Sequence, residues 1–179
     1  MAKIQIQLAG QDDLEAMVSL DHTVSSSYSY KLNFARDGFA WTYGLERVRL
    51  PRSINLPYPR DEQSLLKSWE EASGVYVGKI LDELVAYATF CSESYPRTLR
   101  VTNLVVAHDI RRKGVGTSML TACEVWALNH ALKRVLLELP ARNDPAISLS
   151  CKNGYELCGH LDQFFPSGEM ALFFEKIVG

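Results

Sequence analysis

LVVAHDIRRKGVGT, residues 104–117, is the stretch that decides the fold. It opens with the continuous apolar run Leu104-Val105-Val106, typical of a strand buried on both faces, and this strand is predicted over 99–107. A basic, glycine-containing segment follows, and apolar residues then return at near-helical spacing from Val115 to His130. The stretch therefore predicts a buried strand, a short loop and a long helix in direct succession.

The loop and the start of this helix predict a site for a phosphate-bearing ligand. The first backbone N–H groups of a helix have no intrahelical partners and, together with the helix dipole, attract anions. Gly114 and Gly116 keep side chains out of the way of a phosphate, while Arg111, Arg112 and Lys113 add positive charge. Composition alone also allows a solvated basic loop before an ordinary helix.

Two other phosphate motifs fit less well. A P-loop requires G-x-x-x-x-G-K-[ST], which this sequence lacks. A dinucleotide fingerprint requires a third glycine where Met119 stands, although Glu138 lies about where a ribose-binding acid would. Only about 60 residues follow the motif, which is short for a doubly wound sheet.

Hydrophobic periodicity predicts the other elements. The predicted strands are 4–8, 74–81, 84–90, 134–139, 156–164 and 170–177, and the further predicted helices begin at 12–13, 62 and 145. A tight turn is expected at Asp82-Glu83, and Ser25-Ser26-Ser27 is expected to break the first helix. Residues 28–60 are rich in aromatic side chains and contain three prolines near their end, which we interpret as irregular, partly helical structure.

This order of elements predicts an α/β (α+β) fold. We expect a single mixed, mainly antiparallel sheet of six to seven strands, flanked by about four helices and containing at least one strand-helix-strand crossover. The length of 179 residues suits one domain, and no repeat or boundary interrupts it. We therefore expect one domain over residues 1–179.

Composition and charge exclude several functional classes. The net charge of −2 argues against nucleic acid as the main partner. No apolar run approaches the roughly 18 residues that span a bilayer, and no apolar leader follows Met1, so we expect a cytoplasmic protein away from membranes. The cysteines form no C-x-x-C pair and do not cluster with histidines, so we expect free, buried thiols and no metal site. They are Cys91, Cys123, Cys151 and Cys158.

The segment Arg111-x-x-Gly114-x-Gly116 resembles the Q/R-x-x-G-x-G/A acyl-CoA signature of the GNAT superfamily of N-acyltransferases. Downstream, Asn143, Ala146 and the run 149–155 resemble that superfamily's N-x-x-A-x-x-x-Y-x-K-x-G-F segment. The architecture resembles it over nearly the whole chain, and the specific motifs do so over about 99–155. The resemblance implies a GNAT-like fold, N-acetyltransferase activity and acetyl-CoA as co-substrate.

The resemblance also implies roles for individual residues. Backbone amides of 112–117 would hold the CoA pyrophosphate, the backbone of the preceding strand would bind the pantetheine arm like an added strand, and Asn143 would reach the pantetheine or phosphates. Arg111 or Lys113 would contact phosphates from outside. The implied CoA-binding residues are Val105, Val106, Arg111, Arg112, Lys113, Gly114, Val115, Gly116, Thr117 and Asn143.

Glu138 and Ser150 are the main candidates for proton transfer. The acceptor amine must lose a proton before it attacks, and Glu138, inside the apolar run 136–139, is the best candidate base. A solvent-facing or salt-bridged strand residue is the alternative reading, and Glu93 and Asp162 are weaker candidates. The superfamily's frequent general-acid tyrosine falls on Ser150, so Ser150 acts through water, another residue substitutes, or the thiolate leaves unaided.

The acceptor is predicted only from resemblance. The strand 136–138 and the tail segments 161–165 and 169–174 are loosely similar to streptothricin-type antibiotic acetyltransferases, which implies a small cationic amine. Scattered acids could line its cleft: Asp21, Asp37, Glu46, Glu93 and Asp162. A protein N-terminus or lysine as acceptor, and a non-catalytic acyl-CoA-binding module, remain alternatives. We also consider a homodimer, because superfamily members often dimerise and the C-terminal strand is apolar.

Overall fold

The computed structural model describes residues 4–179, which contain nine strands, four α-helices and one short 3-10 turn. The strands are β1 Gln5–Leu8, β2 Val24–Asp37, β3 Ala40–Leu56, β4 Gly74–Ile80, β5 Glu83–Glu93, β6 Thr98–Val106, β7 Arg134–Pro140, β8 Glu156–Leu161 and β9 Ala171–Ile177. The helices are α1 Asp13–Ser19, α2 Glu62–Glu70, α3 Val115–Asn129 and α4 Asp144–Lys152, and the 3-10 turn is His108–Ile110.

Seven strands form one mixed sheet in the order β1-β4-β5-β6-β7-β9-β8. Its β6–β7 pair is parallel and its other pairs are antiparallel. The parallel pair needs a crossover, and α3 supplies it. The predicted fold class, a mainly antiparallel mixed sheet flanked by about four helices, is confirmed.

Apolar side chains cover both faces of this sheet. On one face, α3 and α4 enclose the larger core, because apolar residues recur on α3 at one-turn spacing. On the other face, the segments around α1 and α2 cover a smaller cluster. The larger core includes Phe90, Leu99, Met119, Leu120 and Ile147, and the smaller one includes Met17, Val77, Tyr87 and Val105.

Strands β6 and β7 separate after a short shared ladder. They pair over Thr98–Val101 and Arg134–Leu137 only, whereas β7 stays paired with β9 as far as Pro140. The register between β5 and β6 shifts beside Thr102, which marks a β-bulge. The C-terminal half of β6 therefore borders a gap. This divergence also explains why Leu104 and Val106 are only half-buried, although we predicted a strand buried on both faces.

The prediction for residues 28–60 was wrong. Strands β2 and β3 form a long antiparallel hairpin, the ribbon, which is a separate two-stranded sheet. Ser25-Ser26-Ser27 begins this ribbon instead of merely ending a helix. Most ribbon residues are exposed on both faces, so the apolar alternation that reveals a half-buried strand is missing.

Smaller differences concern turns and thiols. The β4–β5 turn lies at Leu81-Asp82, where both residues have positive φ, and not at Asp82-Glu83. All four cysteines are free, as expected, but Cys151 and Cys158 are exposed. Within residues 4–179, none of the helices has the length and apolarity to cross a bilayer. The same residues hold no group of three or more His, Cys, Asp or Glu placed to bind a metal ion.

Candidate active site

The gap between β6 and β7 opens beside the basic loop and the start of α3. Arg111 holds this corner together, because its guanidinium donates to three backbone carbonyls: Val106 at 2.8 Å, Thr23 at 2.8 Å and Asp21 at 3.3 Å. Arg111 therefore ties the loop to the end of β6 and to the segment after α1. A contact from Arg111 to a phosphate stays a prediction, and its observed bonds are structural.

The loop turns sharply into α3 through two left-handed residues. Arg112 has φ 65° and Gly114 has φ 87°. The N–H groups of Val115, Gly116 and Thr117 form the first turn of α3, so they have no carbonyl one turn earlier within the helix. Arg112 and its neighbour Lys113 are exposed, which places positive charge around these amides.

The two loop glycines differ in what they allow. A Cβ on Gly114 would meet nothing within 4 Å, so space does not require a glycine here. Its positive φ does, because residues with a side chain rarely adopt that backbone conformation. A Cβ on Gly116 would lie 2.8 Å from Cδ2 of Leu149 on α4. We expected a glycine at position 116 because it makes room for a phosphate. The structure gives a second reason for this glycine, because it lets α3 and α4 approach each other.

Asn143 directly precedes α4 and Ser150 belongs to it. This helix packs against the start of α3. Asn143 is the N-cap of α4, and its Oδ1 accepts a hydrogen bond from Ala146 N at 3.1 Å, which leaves its amide N–H groups for a ligand. Ser150 is buried, and its hydroxyl donates to the Ala146 carbonyl at 2.9 Å. The hydroxyl proton of Ser150 is therefore engaged within its own helix. The Nδ2 of Asn153 contacts Oγ1 of Thr117 at 3.3 Å, which links the end of α4 to the first turn of α3.

Glu138 lies on the other face of the sheet, in a buried ion-pair network. Its Oε1 accepts from Nη1 of Arg100 on β6 at 2.8 Å, and its Oε2 accepts from Nη2 of Arg60 at 2.8 Å. The Glu138 side chain is 1% exposed, and Arg100 also donates to Glu93 at 2.9 Å. A buried carboxylate is tolerated because it is paired in this way. This geometry matches the salt-bridged reading of Glu138, and its role as a base stays a prediction.

Beside Glu138, a chain of neutral polar groups crosses β5 and β6. The Tyr58 hydroxyl donates to Oδ1 of Asn103 at 2.7 Å, and Nδ2 of Asn103 contacts Oγ1 of Thr89 at 2.5 Å and Oγ of Ser68 at 2.6 Å. Burial raises the pKa of Tyr58 to about 12, so its phenol is neutral near pH 7. We did not predict this network. Its sequence signal is the polar pair Thr102-Asn103 inside an apolar strand.

His22 is a further group that we did not predict. Its Nε2 forms a hydrogen bond with the Tyr87 hydroxyl at 2.8 Å, and its ring lies 5.0 Å from the ring of Tyr58. Burial lowers the pKa of His22, so the neutral imidazole is favoured near pH 7. No sequence signal indicated that His22 belongs to a polar cluster, because His22 and Tyr87 are far apart in the chain and only the fold brings them together.

The acids expected to line an acceptor cleft do not form one group. Asp21 accepts from the Thr23 N–H, and Glu93 is paired with Arg100. Asp37 and Glu46 lie on the exposed ribbon, and Asp162 lies in an exposed turn after β8. Glu138 is the buried acid among those considered, and its carboxylate is held between Arg60 and Arg100.

Comparisons with known proteins agree with this geometry. The Acetyltransferase (GNAT) family matches over residues 42–155. A streptothricin acetyltransferase of Escherichia coli is 32% identical over 113 residues, and the aligned part spans 63% of this chain and 63% of that relative, less than two thirds. A streptothricin acetyltransferase of Streptomyces lavendulae is 24% identical over 87% of this chain and 82% of its own length.

Two solved structures share the fold. The structure of a nourseothricin acetyltransferase superposes with a TM-score of 0.82 at 21% identity, covering 98% of this chain and 99% of the other. A Bacillus anthracis str. Ames protein, solved in complex with acetyl coenzyme A, gives a TM-score of 0.76 at 16% identity, with 98% and 99% covered. The family match covers well over half of the chain, and it includes the β6-loop-α3 segment and α4. This chain therefore belongs to the acetyltransferase (GNAT) family.

Proposed function

We propose that residues 1–179 form one cytoplasmic N-acetyltransferase domain that transfers an acetyl group from acetyl-CoA to a primary amine of a small cationic molecule. One observation supports this most: β6 and β7 diverge beside an amide-lined helix start, in a chain of the GNAT family. A thioester with a pyrophosphate tail suits this gap, because the free edge of β6 can pair with the pantetheine amides and the helix start can take the phosphates.

The proposed CoA contacts come from backbone groups more than from side chains. Val105 and Val106 would offer N–H and C=O groups to the pantetheine arm, and the amides from Arg112 to Thr117 would take the pyrophosphate. Asn143, at the start of α4, would donate its remaining amide N–H groups to the pantetheine arm or the phosphates. Positive charge on Arg112 and Lys113 would add affinity that falls as salt increases.

The chemistry is direct attack within a ternary complex. The ammonium of the acceptor must first lose one proton, and we propose Glu138 as the base that takes it. The neutral amine then attacks the thioester carbonyl and a C–N bond forms. The nitrogen of the tetrahedral adduct loses its extra proton to water, and collapse of the adduct breaks the C–S bond and releases the CoA thiolate. Because Ser150 donates its hydroxyl proton to Ala146, we propose that the thiolate takes its proton from water and not from Ser150 directly.

The acceptor class rests on relatives. Streptothricin acetyltransferases resemble this chain in sequence, and a nourseothricin acetyltransferase resembles it in fold. Protein and peptide acceptors are the other class to test, because the ribosomal-protein-S18-alanine N-acetyltransferase of Escherichia coli also shares the fold, with a TM-score of 0.67 at 16% identity. We favour the small cation, since Glu138 is a buried acid on the face opposite α3.

A thiol-release assay tests the proposal. The protein is mixed with acetyl-CoA and, separately, with streptothricin, spermidine or a peptide with a free N-terminus, and released CoA thiol is measured. We expect release with streptothricin and an acetylated product of matching mass. Release with the peptide alone would move the function to protein acetylation. Acetyl-CoA binding without release for any amine would indicate a non-catalytic module.

Two glycine variants test the CoA side. Gly114→Val places a β-branched side chain over the helix-start amides, and we expect the KM for acetyl-CoA to rise by about tenfold or more. Gly168→Val is the matched control, because Gly168 also has positive φ, 75°, with nothing within 4 Å, but lies between β8 and β9. An equal rise of KM in both variants would contradict the assignment of the loop.

The oligomeric state belongs to the proposal as well. Strand β9 lies inside the sheet, paired with β7 and β8, so a homodimer cannot form by adding a strand to it. The exposed Leu157 and Leu161 on the edge strand β8 are the apolar side chains of this region that a second copy would cover. Light scattering of the purified chain measures whether a dimer forms.

A further inference from the structure

The segment that joins β3 to α2 crosses the gap between β6 and β7 on the face away from α3. We name residues 57–60 the strap. Its Tyr58 is bound to Asn103 on β6 at 2.7 Å, and its Arg60 is bound to Glu138 on β7 at 2.8 Å. The strap therefore joins the two strands at the point where they diverge. An amine that reaches a thioester in the gap from this face must pass the strap.

Glu138 has two cationic partners of different kinds. Arg100 projects from β6, beside β7, and is also held by Glu93, so it belongs to the sheet. Arg60 comes from a loop, and it is the partner that can leave without breaking a strand. The four side chains carry balanced charge, two positive and two negative. Without Arg60 the network has one excess negative charge, centred on a carboxylate that is almost inaccessible to solvent.

The position of the Arg60 guanidinium has a second recognition element. It lies 5.4 Å from the ring centroid of Phe165, within the distance of a cation–π contact. A carboxylate oxygen on one side and an aromatic ring on the other are what an alkylammonium or guanidinium group requires. The residues around Arg60 thus form a cation subsite that the chain's own arginine fills.

We propose that Glu138 and Phe165 form the subsite for a cationic group of the acceptor, and that Arg60 is a tethered cation which the acceptor displaces. This inference rests on the proposed function for the identity of the acceptor. It assigns Glu138 to substrate recognition and makes Arg60 a specificity-determining residue. A neutral amine cannot replace the ion pair between Arg60 and Glu138. Arg60 therefore stays bound to Glu138, and the subsite stays closed to such an amine.

The exchange has a measurable consequence for affinity. A subsite that is open in only one molecule in ten binds its ligand about tenfold more weakly than an open one, because the apparent Kd equals the Kd of the open subsite divided by the open fraction. Removing Arg60 should therefore strengthen acceptor binding. If Arg60 and Glu138 form only a structural ion pair, removing Arg60 should weaken acceptor binding, because the strap would no longer be held in place beside the acceptor.

The first experiment uses a cation in place of the acceptor and needs no activity. Thermal unfolding of Arg60→Ala is measured with and without ethylguanidinium at about 50 mM, a concentration at which a millimolar ligand stabilises measurably. We expect a lower Tm than that of the wild type and a partial recovery with ethylguanidinium. Arg60→Ala/Glu138→Gln should show no recovery. Recovery in the double variant, or none in Arg60→Ala, would overturn the subsite.

A matched control separates the subsite from general salt effects. Arg134 lies on β7 itself and donates to Glu175 at 2.6 Å, so Arg134→Ala also removes an arginine from a carboxylate. We expect ethylguanidinium to change the Tm of Arg134→Ala no more than it changes that of the wild type. An equal recovery in both variants would contradict the proposal.

The second experiment measures acetylation of streptothricin. In Arg60→Ala we expect the KM for streptothricin to fall by about tenfold, with the KM for acetyl-CoA unchanged. Arg60→Gln, which keeps the length and a polar end, should act in the same direction if Arg60→Ala folds poorly. A higher or unchanged KM for streptothricin in both variants would overturn the displacement. If the wild type acetylates no amine, the proposed function fails, and the ethylguanidinium measurement still decides the subsite.

Discussion

The seven-stranded sheet and the ribbon are built from the same antiparallel hydrogen bonds, yet they are held in place differently. Phe90 of the sheet is 0% exposed and packs against Trp126, whereas Phe39 at the ribbon's tip is 99% exposed. Backbone ladders satisfy polar groups, but burial of apolar area supplies most of the stability. A strand therefore contributes to the free energy of unfolding mainly through what covers it.

The ribbon is attached to the rest of the chain partly through its middle, where Tyr30 pairs with Arg47 across the two strands. The Tyr30 N–H donates to the Ala141 carbonyl at 2.9 Å, and Arg47 is bound to Asp144 at the start of α4. Both contacts lie beside the proposed CoA site, while the tip is far from them along the strands. The middle of the ribbon is therefore part of the site's surroundings, and its tip is not.

The largest expected effect compares two phenylalanines. Phe90→Ala should lower the free energy of unfolding by about 3–5 kcal/mol, because it removes a fully buried ring and leaves a cavity. Phe39→Ala should change it by less than about 0.5 kcal/mol. Urea unfolding at neutral pH measures both. Similar losses in the two variants would mean that the ribbon's tip is covered in solution.

A smaller effect is expected where the sheet's helices meet. Gly116→Ala should cost about 1–2 kcal/mol, since its Cβ would overlap Leu149, and Leu149→Ala added to it should recover part of that loss. Gly114→Ala should cost about 1 kcal/mol through backbone strain, without recovery by Leu149→Ala. A double-mutant cycle by urea unfolding measures the coupling. Additive losses for Gly116→Ala and Leu149→Ala would contradict the contact.

The contact between the middle of the ribbon and the start of α4 gives a pH-dependent prediction. The hydrogen bond from Arg47 holds the pKa of Asp144 below its ordinary value. A depressed carboxyl pKa stabilises the fold above the ordinary value, and the contribution disappears as the pH falls through the folded pKa. Arg47→Ala should therefore lower Tm by about 1–3 °C at pH 7 and by less below about pH 4. A difference that grows at low pH would contradict this pairing.

The smallest effect is expected from shortening the ribbon. Replacing residues 35–42 by Asn-Gly keeps a hairpin turn while removing the tip. Because the removed residues contact little besides each other, we expect a Tm change of about 2 °C or less and unchanged KM for acetyl-CoA. Thermal unfolding and the thiol-release assay measure the two quantities. A large loss of either would show that the tip has a partner.

Much of the sheet could be predicted from local patterns. Strand β7 and helix α3 lie within one residue of their predicted starts, because their apolar residues face a core and repeat with the period of the element. The ribbon could not be predicted in this way, since it has no buried face to impose alternation.

The order of residues in the chain was enough to predict the fold class and the strand-loop-helix segment that we propose to bind CoA, because both depend on neighbouring residues: an apolar strand, a glycine and a helix start. The contacts on the opposite face of the sheet could be known only from the folded chain. Arg60, Arg100 and Glu138 come from three distant segments, and a buried carboxylate is defined by partners that the chain brings to it on folding. Local spacing carries no information about such encounters, so the strap and its cation subsite became visible only in three dimensions.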